Sequence, residues 1–103
     1  MTDQHKAYWI AHVSIRNADG YQAYRTAAAR PIAEHGGRFL VLGGRQATPE
    51  GDMHTHTVVV EFPSLTLARA CYRSRAYQDT IALRKPYSQV DLSIVEGCEI
   101  EAD

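Results

Sequence analysis

Glu61 is the carboxylate in this sequence whose surroundings best suit proton transfer. It follows Val58–Val60 near the end of a segment that is apolar on both alternating faces, as in a strand that is covered on both sides. A carboxylate in that position would be partly desolvated, which raises its pKa. A neighbouring arginine would lower that pKa again, and Arg38 and Arg84 are the candidate partners. Glu61 is therefore either a proton-transfer group or one half of a structural ion pair.

Polar side chains on the first predicted strand could act together with Glu61. His12, Tyr8 and Ser14 alternate with apolar residues, on the strand face that we assign to Glu61. Because the first and third strands of the predicted sheet are neighbours, His12 and Glu61 could form an acid–base pair or orient a ligand. A histidine in a sheet can equally be a satisfied polar group. Asp91, on the fourth predicted strand, would extend the polar lining.

Asp52, His54 and His56 are spaced so that they could bind a metal ion. Alternate residues of an extended chain lie on one side, where three such ligands could reach one ion. They fall on a polar connection with no supporting partner in the sequence, however, which is typical of a solvated loop. The metal site stays an alternative, and the predicted site contains no metal ligand and no cofactor.

Composition narrows the class of protein. A chain of 103 residues with 45% hydrophobic residues fits one globular domain, with a core over about residues 7–97 and an acidic tail from Gly97. The net charge of -1 argues against a nucleic-acid partner. We see no signal peptide and no membrane-spanning stretch, and we expect a cytoplasmic protein.

Cys71 and Cys98 have neither metal-ligand spacing nor the density of a disulfide scaffold, so we interpret both as reduced thiols.

Four strands and intervening helices would position these groups. The predicted strands are Tyr8–Ile15, Arg38–Leu42, Thr55–Phe62 and Val90–Glu96. Asp19 is the predicted N-cap of a helix that starts at Gly20 and ends at Gly36-Gly37. Ser64 should cap a second helix and Ser74 a short third helix.

This order of elements predicts an α+β, ferredoxin-like β-α-β-β-α-β unit. Right-handed crossovers place the helices on one face of an antiparallel four-stranded sheet. The opposite face would carry Ile10, Val59, one register of Phe39–Leu42 and part of the fourth strand. Because soluble monomers rarely expose an apolar surface of that size, we expect a second copy of the chain to cover it in a homodimer.

Several short segments occur in a characteristic order along the chain. They are Gly36–Gly44, Glu50–Asp52, Val59–Ser64, Ala68, Ser74–Gln78, Leu83-Arg84 and Val95–Gly97. Together they resemble a short bacterial family known as a domain of unknown function, over about Ala7 to Gly97. The resemblance implies the dimeric α+β barrel superfamily, in which two ferredoxin-like subunits meet sheet to sheet. That superfamily includes cofactor-free monooxygenases, haem-degrading enzymes, chlorite dismutases and muconolactone isomerases, but none of their catalytic residues matches this sequence by motif.

These inferences lead to a functional expectation. We expect a homodimeric barrel protein that holds a small apolar or weakly acidic organic molecule in the cavity beside the sheet. Glu61 and His12 would transfer protons, and Arg38 or Arg84 would neutralise an acidic or enolate-like group, which suits isomerase or cofactor-free oxygenase chemistry. The remaining predicted ligand contacts are Tyr8, Ser14 and Asp91. The alternative is a non-catalytic binding or dimerisation module in which Glu61 and the arginines are structural.

Overall fold

The structure, a computed structural model, describes residues 5–98 and contains every predicted strand and helix. The strands are β1 (Ala7–Ile15), β2 (Arg38–Leu42), β3 (His56–Phe62) and β4 (Ser88–Glu96). The helices are α1 (Ala18–Glu34), α2 (Leu65–Arg73) and α3 (Arg75–Arg84), and a 3-10 turn, Lys85–Tyr87, leads into β4. The predicted acidic tail lies outside the described residues from position 99 onward.

The four strands form one antiparallel sheet in the order β2-β3-β1-β4. The helices lie together on one face, since α1 packs against α3 and α2 contacts β1, β3 and β4. Ala28 and Ile32 of α1 share a core cluster with Trp9 of β1. The predicted ferredoxin-like α+β fold is therefore confirmed. No helix within residues 5–98 has the length and apolar character needed to cross a membrane.

Strand β1 separates the two faces of the sheet. Its core-facing residues are no more than 8% exposed and lie under the helices: Ala7, Trp9, Ala11 and Val13. Its alternate residues are only partly buried: Tyr8, Ile10, His12 and Ser14. We call the side that carries this second set the open face. The alternation is the one that the sequence predicts.

Trp9 organises the core beneath the helices. Its ring centroid lies 4.8 Å from that of Tyr77 and 5.2 Å from that of Phe62. Its indole Nε1 donates a 2.9 Å hydrogen bond to the backbone oxygen of Ala68 in α2, so its polar atom is satisfied although the side chain is buried. Cys71 is also fully buried here, and burial raises the pKa of its thiol to about 12. This environment fits core packing and not a reactive thiolate.

An irregularity in β2 decides which of its side chains face the helices. Arg38 pairs with Glu61 and Phe39 with Val60, but the pairing then skips Leu40, which forms a bulge. As a result Phe39 and Leu42 lie on the helix side, where they border a cavity beside α1. They remain 40% and 49% exposed because β2 is the edge strand.

Helix α1 begins two residues earlier than predicted, and its cap is a different residue. Asn17, with an extended backbone, accepts a 2.9 Å hydrogen bond from Gly20 N through its Oδ1, so Asn17 and not Asp19 is the N-cap. Asp19 lies inside the first turn, where its negative charge interacts favourably with the helix dipole. The predicted end is confirmed, because α1 stops at Glu34 and Gly36 follows with a φ of 81°.

We predict that Asn17→Ala lowers the free energy of unfolding by about 1 kcal/mol, because it leaves an amide of the first turn without its side-chain acceptor. Urea denaturation followed by circular dichroism measures the change. Asp19→Ala is the matched control and should cost only a few tenths of a kcal/mol through the lost dipole interaction. A larger loss at Asp19 than at Asn17 would contradict the assigned cap.

Candidate functional site

The first group of predicted site residues meets around Glu61 on the open face. Cross-strand pairing places Tyr8 of β1 and Arg38 of β2 on either side of Glu61. Arg38 Nε donates to Glu61 Oε1 at 2.9 Å and the Tyr8 hydroxyl donates to Oε2 at 3.2 Å. Lys6 Nζ lies 3.5 Å from Oε1. We call these four residues the Glu61 cluster.

The surroundings of Glu61 keep it ionised. Burial of the side chain, which is 12% exposed, favours the neutral acid. The hydrogen bonds from Arg38 and Tyr8 and the charges of Lys6 and Arg38 outweigh that effect and hold the pKa of Glu61 below its ordinary value. A carboxylate with a lowered pKa is a weak proton acceptor near neutral pH. Of the two interpretations left open by the sequence, the geometry favours the structural ion pair.

A second group forms a polar cleft of about 360 Å³ on the open face. Its walls are His12, Ser14, Asp52, Met53, His54 and Asp91. Ser14 Oγ lies 2.5 Å from His54 Nδ1, and His54 Nε2 lies 2.7 Å from Asp91 Oδ2. The structure thus brings together Ser14, Asp91 and His12, which we predicted as site residues. It adds His54, which lies in the connection between β2 and β3.

Register separates the predicted proton-transfer pair. Glu61 pairs with Tyr8, whereas His12 pairs with Thr57, four residues farther along β1 and β3. At about 3.3 Å per residue this is roughly 13 Å along the sheet, so the two side chains lie at different ends of the open face. His12 approaches Thr57 Oγ1 at 3.5 Å through its Nδ1. The prediction of a direct His12–Glu61 pair was wrong, although both residues lie on the predicted face.

Arg84 lies on the other side of the sheet from Glu61. It ends α3, and its guanidinium carbon lies 5.4 Å from the ring centroid of Tyr24 in α1. The hydroxyls of Tyr24 and Tyr77 are 2.8 Å apart in the same layer. Arg84 therefore stabilises the packing of the helices by a cation–π contact and cannot neutralise a group beside Glu61. Of the two candidate partners of Glu61, Arg38 is therefore the one that pairs with it and Arg84 is not.

The three alternate residues Asp52, His54 and His56 also diverge. Asp52 and His54 line the open-face cleft, whereas His56 lines a cavity on the helix side. A bend at Thr55 interrupts the extended chain and with it the alternation on which the metal interpretation depends. Within residues 5–98 no group of three potential ligands is arranged to hold a metal ion.

The cavity that contains His56 lies between α1 and the sheet and measures about 40 Å³. Its apolar lining includes Val13, Tyr21, Tyr24, Ala28, Val58 and Val60. Two basic side chains, Arg25 and His56, also line it, and Phe39 and Leu42 form its wall at the edge of the sheet. We call this the α1 cavity.

His56 is the chemically distinctive group of the α1 cavity. Its Nε2 is buried and has no hydrogen-bond partner among the described residues. Burial lowers the pKa of His56, and the nearby charge of Arg25 lowers it further, so the ring is neutral at pH 7. Gly43, at a φ of 67°, lies against the ring, where a Cβ atom would overlap it.

His56 was predicted only as a possible metal ligand, although the alternation of β3 indicates that it faces the core. In β3 the residues at positions 58, 60 and 62 face the core, and position 56 has the same parity. Counting back from Phe62 would have placed His56 under α1. Arg25 gave no comparable signal, since a basic residue on a helix is ordinarily solvated.

The comparisons with known proteins identify the family. Residues 6–98 match the family described as "Domain of unknown function (DUF1330)", and the chain belongs to that family. This confirms the resemblance seen in the ordered sequence segments. No protein with a curated description matches the chain.

Solved structures share the fold at low sequence identity. RPA0582 from Rhodopseudomonas palustris, a protein of unknown function, has a TM-score of 0.73 at 16% identity, over 94% of this chain and 85% of that one. SnoaB from Streptomyces nogalater, a cofactor-independent oxygenase, has a TM-score of 0.62 at 9% identity, over 96% and 99%. A dimeric ferredoxin-like protein of unknown function from Thermobifida fusca has a TM-score of 0.61 at 14% identity, over 93% and 95%. At these identities the similarities show a shared fold and nothing further.

The Glu61 cluster yields a titration prediction. We expect the pKa of Glu61 to lie below its ordinary value of 4.5 and to rise in Arg38→Leu, because that variant removes the strongest hydrogen bond to the carboxylate. Since the folded state lowers this pKa, Glu61 adds stability above the unfolded-state value, and that stability is lost as pH falls through the folded-state value. NMR titration of the Glu61 carboxyl carbon measures this pKa in the wild type and in Arg38→Leu.

Arg30→Leu is the matched control, because Arg30 pairs with exposed Glu34 on α1 and is remote from Glu61. It should leave the Glu61 titration unchanged. A wild-type Glu61 that titrates above 4.5 would show that burial outweighs the cluster and would restore its candidacy as a proton-transfer group.

Proposed function

We propose that the protein is a homodimer that binds a small organic molecule with an apolar body and a weakly acidic hydroxyl in the α1 cavity. His56 accepts the hydroxyl proton, and Arg25 favours the resulting anion. The observation that carries this proposal is the buried Nε2 of His56, which has no hydrogen-bond partner among the described residues and belongs to the wall of an apolar cavity.

An unpaired buried nitrogen is unfavourable and therefore informative. Leaving such a group without a partner costs about 1–3 kcal/mol, so buried polar atoms are usually satisfied. A ligand hydroxyl that donates to Nε2 would remove the cost. The lowered pKa of His56 keeps the imidazole neutral, so that it can accept a hydrogen bond from the hydroxyl. Transfer of the proton itself depends on the pairing of the resulting anion with Arg25 and the imidazolium.

The shape of the α1 cavity favours a compact, mainly apolar ligand. Its volume of about 40 Å³ is below that of ordinary ligand pockets, so a ring-sized molecule must displace part of the wall. Phe39 and Leu42 are the side chains able to move, because both are exposed at the edge strand. The proposed entrance therefore lies beside β2, next to the bulge at Leu40.

Proton removal defines the chemistry that such a site could support. Transfer of the hydroxyl proton to His56 leaves a phenolate or enolate, whose charge the guanidinium of Arg25 stabilises electrostatically. An electron-rich anion of this kind can isomerise or react with dioxygen without a bound cofactor. SnoaB, which shares the fold, is described as a cofactor-independent oxygenase, and this supports reaction chemistry of that class as the leading enzymatic candidate.

The open face supports the proposed homodimer. Ile10, Val41 and Val59 form an apolar belt across its middle, between the Glu61 cluster and the polar cleft. Leu40 and Val95, which are 47% and 44% exposed, add apolar surface on the outer strands. A second sheet is the partner that would cover such a belt, and the Thermobifida fusca protein of the same fold is described as dimeric.

A non-catalytic binding or dimerisation module is the second candidate. It is favoured by the pairing of Glu61 with Arg38, which leaves this predicted catalytic carboxylate in a structural role. Ligand binding in the α1 cavity without turnover would fit this alternative, and so would dimerisation alone.

We predict that 4-nitrophenol binds to the wild-type protein with an increase in the visible absorption of its phenolate form, because the proton moves to His56. His56→Phe should abolish the added ionisation and weaken binding by about 5- to 10-fold, which corresponds to one lost hydrogen bond. Spectrophotometric titration at constant pH measures both effects.

His12→Phe is the matched control, since it replaces a histidine on the open face. It should leave the ionisation of bound 4-nitrophenol unchanged. Equal phenolate absorption in the wild type and His56→Phe would exclude His56 as the proton acceptor, and a loss in His12→Phe alone would move the site to the open face.

We also predict that Val59→Lys converts the protein from dimer to monomer, because it places a charge in the apolar belt. Sedimentation velocity over a range of concentrations measures the assembly. Leu67→Lys, at an exposed position of α2 on the opposite side of the sheet, is the control and should leave the dimer intact. A wild-type protein that sediments as a monomer at high concentration would contradict the proposed homodimer.

A further inference from the structure

The polar cleft contains a continuous hydrogen-bonded series of Ser14, His54 and Asp91. Ser14 Oγ lies 2.5 Å from His54 Nδ1 and His54 Nε2 lies 2.7 Å from Asp91 Oδ2. The three residues come from β1, the β2–β3 connection and β4, so they are far apart in sequence. A hydroxyl, an imidazole and a carboxylate connected in this order are the components of a serine nucleophile with its general base.

The hydrogen bonds have a defined direction. An ionised carboxylate can only accept, so His54 Nε2 must carry the hydrogen that is shared with Asp91. In the neutral ring, Nδ1 then has a free lone pair, and Ser14 must donate its hydroxyl hydrogen to it. Asp91 thereby selects the tautomer in which His54 can remove the Ser14 proton.

Neighbouring groups hold His54 in this position. Gln46 Nε2 donates to the backbone oxygen of His54 at 2.8 Å, and Gln46 Oε1 accepts from Thr57 Oγ1 at 2.5 Å. The Gln46 side chain thus ties the connection before β3 to Thr57 of that strand. In the single chain the His54 side chain is 18% exposed and that of Asp91, on the edge strand β4, is 73% exposed, so the base is the more sheltered of the two.

From this geometry we propose that the polar cleft is an acyl-transfer site, in which Ser14 is the nucleophile, His54 the general base and Asp91 a positioning residue. The substrate class is a small uncharged ester. The carboxylates of Asp52 and Asp91 disfavour an anionic substrate, and Met53 supplies an apolar surface for a short acyl chain. The inference uses side chains of a single chain and does not depend on the function proposed for the α1 cavity.

The reaction proceeds by two balanced transfers. Ser14 Oγ forms a bond to the acyl carbon while its proton passes to His54 Nδ1, and the carbonyl oxygen, which becomes an oxyanion, would accept a hydrogen bond from one ring N–H of His12 on the wall of the cleft. Collapse of the tetrahedral intermediate breaks the bond to the alcohol oxygen, which takes the proton from His54. Water then attacks the acyl-Ser14 ester with His54 again as base, which releases the carboxylic acid and restores Ser14.

A fluorophosphonate probe tests the nucleophile directly, since attack by Ser14 Oγ on phosphorus expels fluoride and leaves a stable phosphonate ester. We expect tandem mass spectrometry of the labelled wild-type protein to locate the adduct on Ser14. Hydrolysis of 4-nitrophenyl acetate should show a burst of one 4-nitrophenolate released per chain as Ser14 is acetylated. Labelling should be lost in Ser14→Ala and fall at least tenfold in His54→Gln and in Asp91→Asn.

Ser93→Ala is the matched control, because Ser93 is an exposed serine on the same face of the sheet. It should label like the wild type. Asp91→Glu should recover at least part of the labelling rate that Asp91→Asn loses, which a purely structural contact would not require. Absence of an adduct on Ser14 in folded wild-type protein, or equal labelling in wild type and His54→Gln, would overturn the proposal even if a variant failed to fold.

Discussion

The whole structure depends on the burial of one face of β1. Because β1 lies in the middle of the sheet, each of its side chains must lie either under the helices or on the open face. Trp9 fills the helix side and is anchored to Ala68 by its indole hydrogen bond, which fixes the height of α2 above the sheet. That single alternation assigns Tyr8, His12 and Ser14 to the open face. The positions of the polar clusters follow from a packing requirement.

The sequence predicted those features that depend on periodicity. Strand alternation and helix-ending glycines repeat at fixed intervals, so the order of elements and the two faces of β1 could be predicted without coordinates. The pairing of Arg38 with Glu61 was among the foreseen alternatives because a partly buried carboxylate favours an arginine partner. The family resemblance, later confirmed, supported the same fold.

Features that depend on register between strands or on loop conformation could not be predicted in this way. Sequence alone does not fix which residue of β3 lies opposite His12, so its separation from Glu61 became visible only in the sheet. The bend at Thr55 places neighbouring histidines on opposite faces. Arg84 was misplaced because it lies where a helix ends, and helix position gives no information about which layer a long side chain enters.

The bulge at Leu40 divides the edge strand β2 into two short parts that contribute to different sites. On one side of this irregularity the strand supplies Arg38 to an ion pair, and beyond it the strand supplies Leu42 to the wall of a cavity. Because Leu40 is the extra residue of the bulge, removing it would restore a regular strand in which Val41 and Leu42 keep their present faces and Arg38 stays in place. A one-residue length difference at this point would thus be absorbed locally, with both the ion pair and the cavity wall retained.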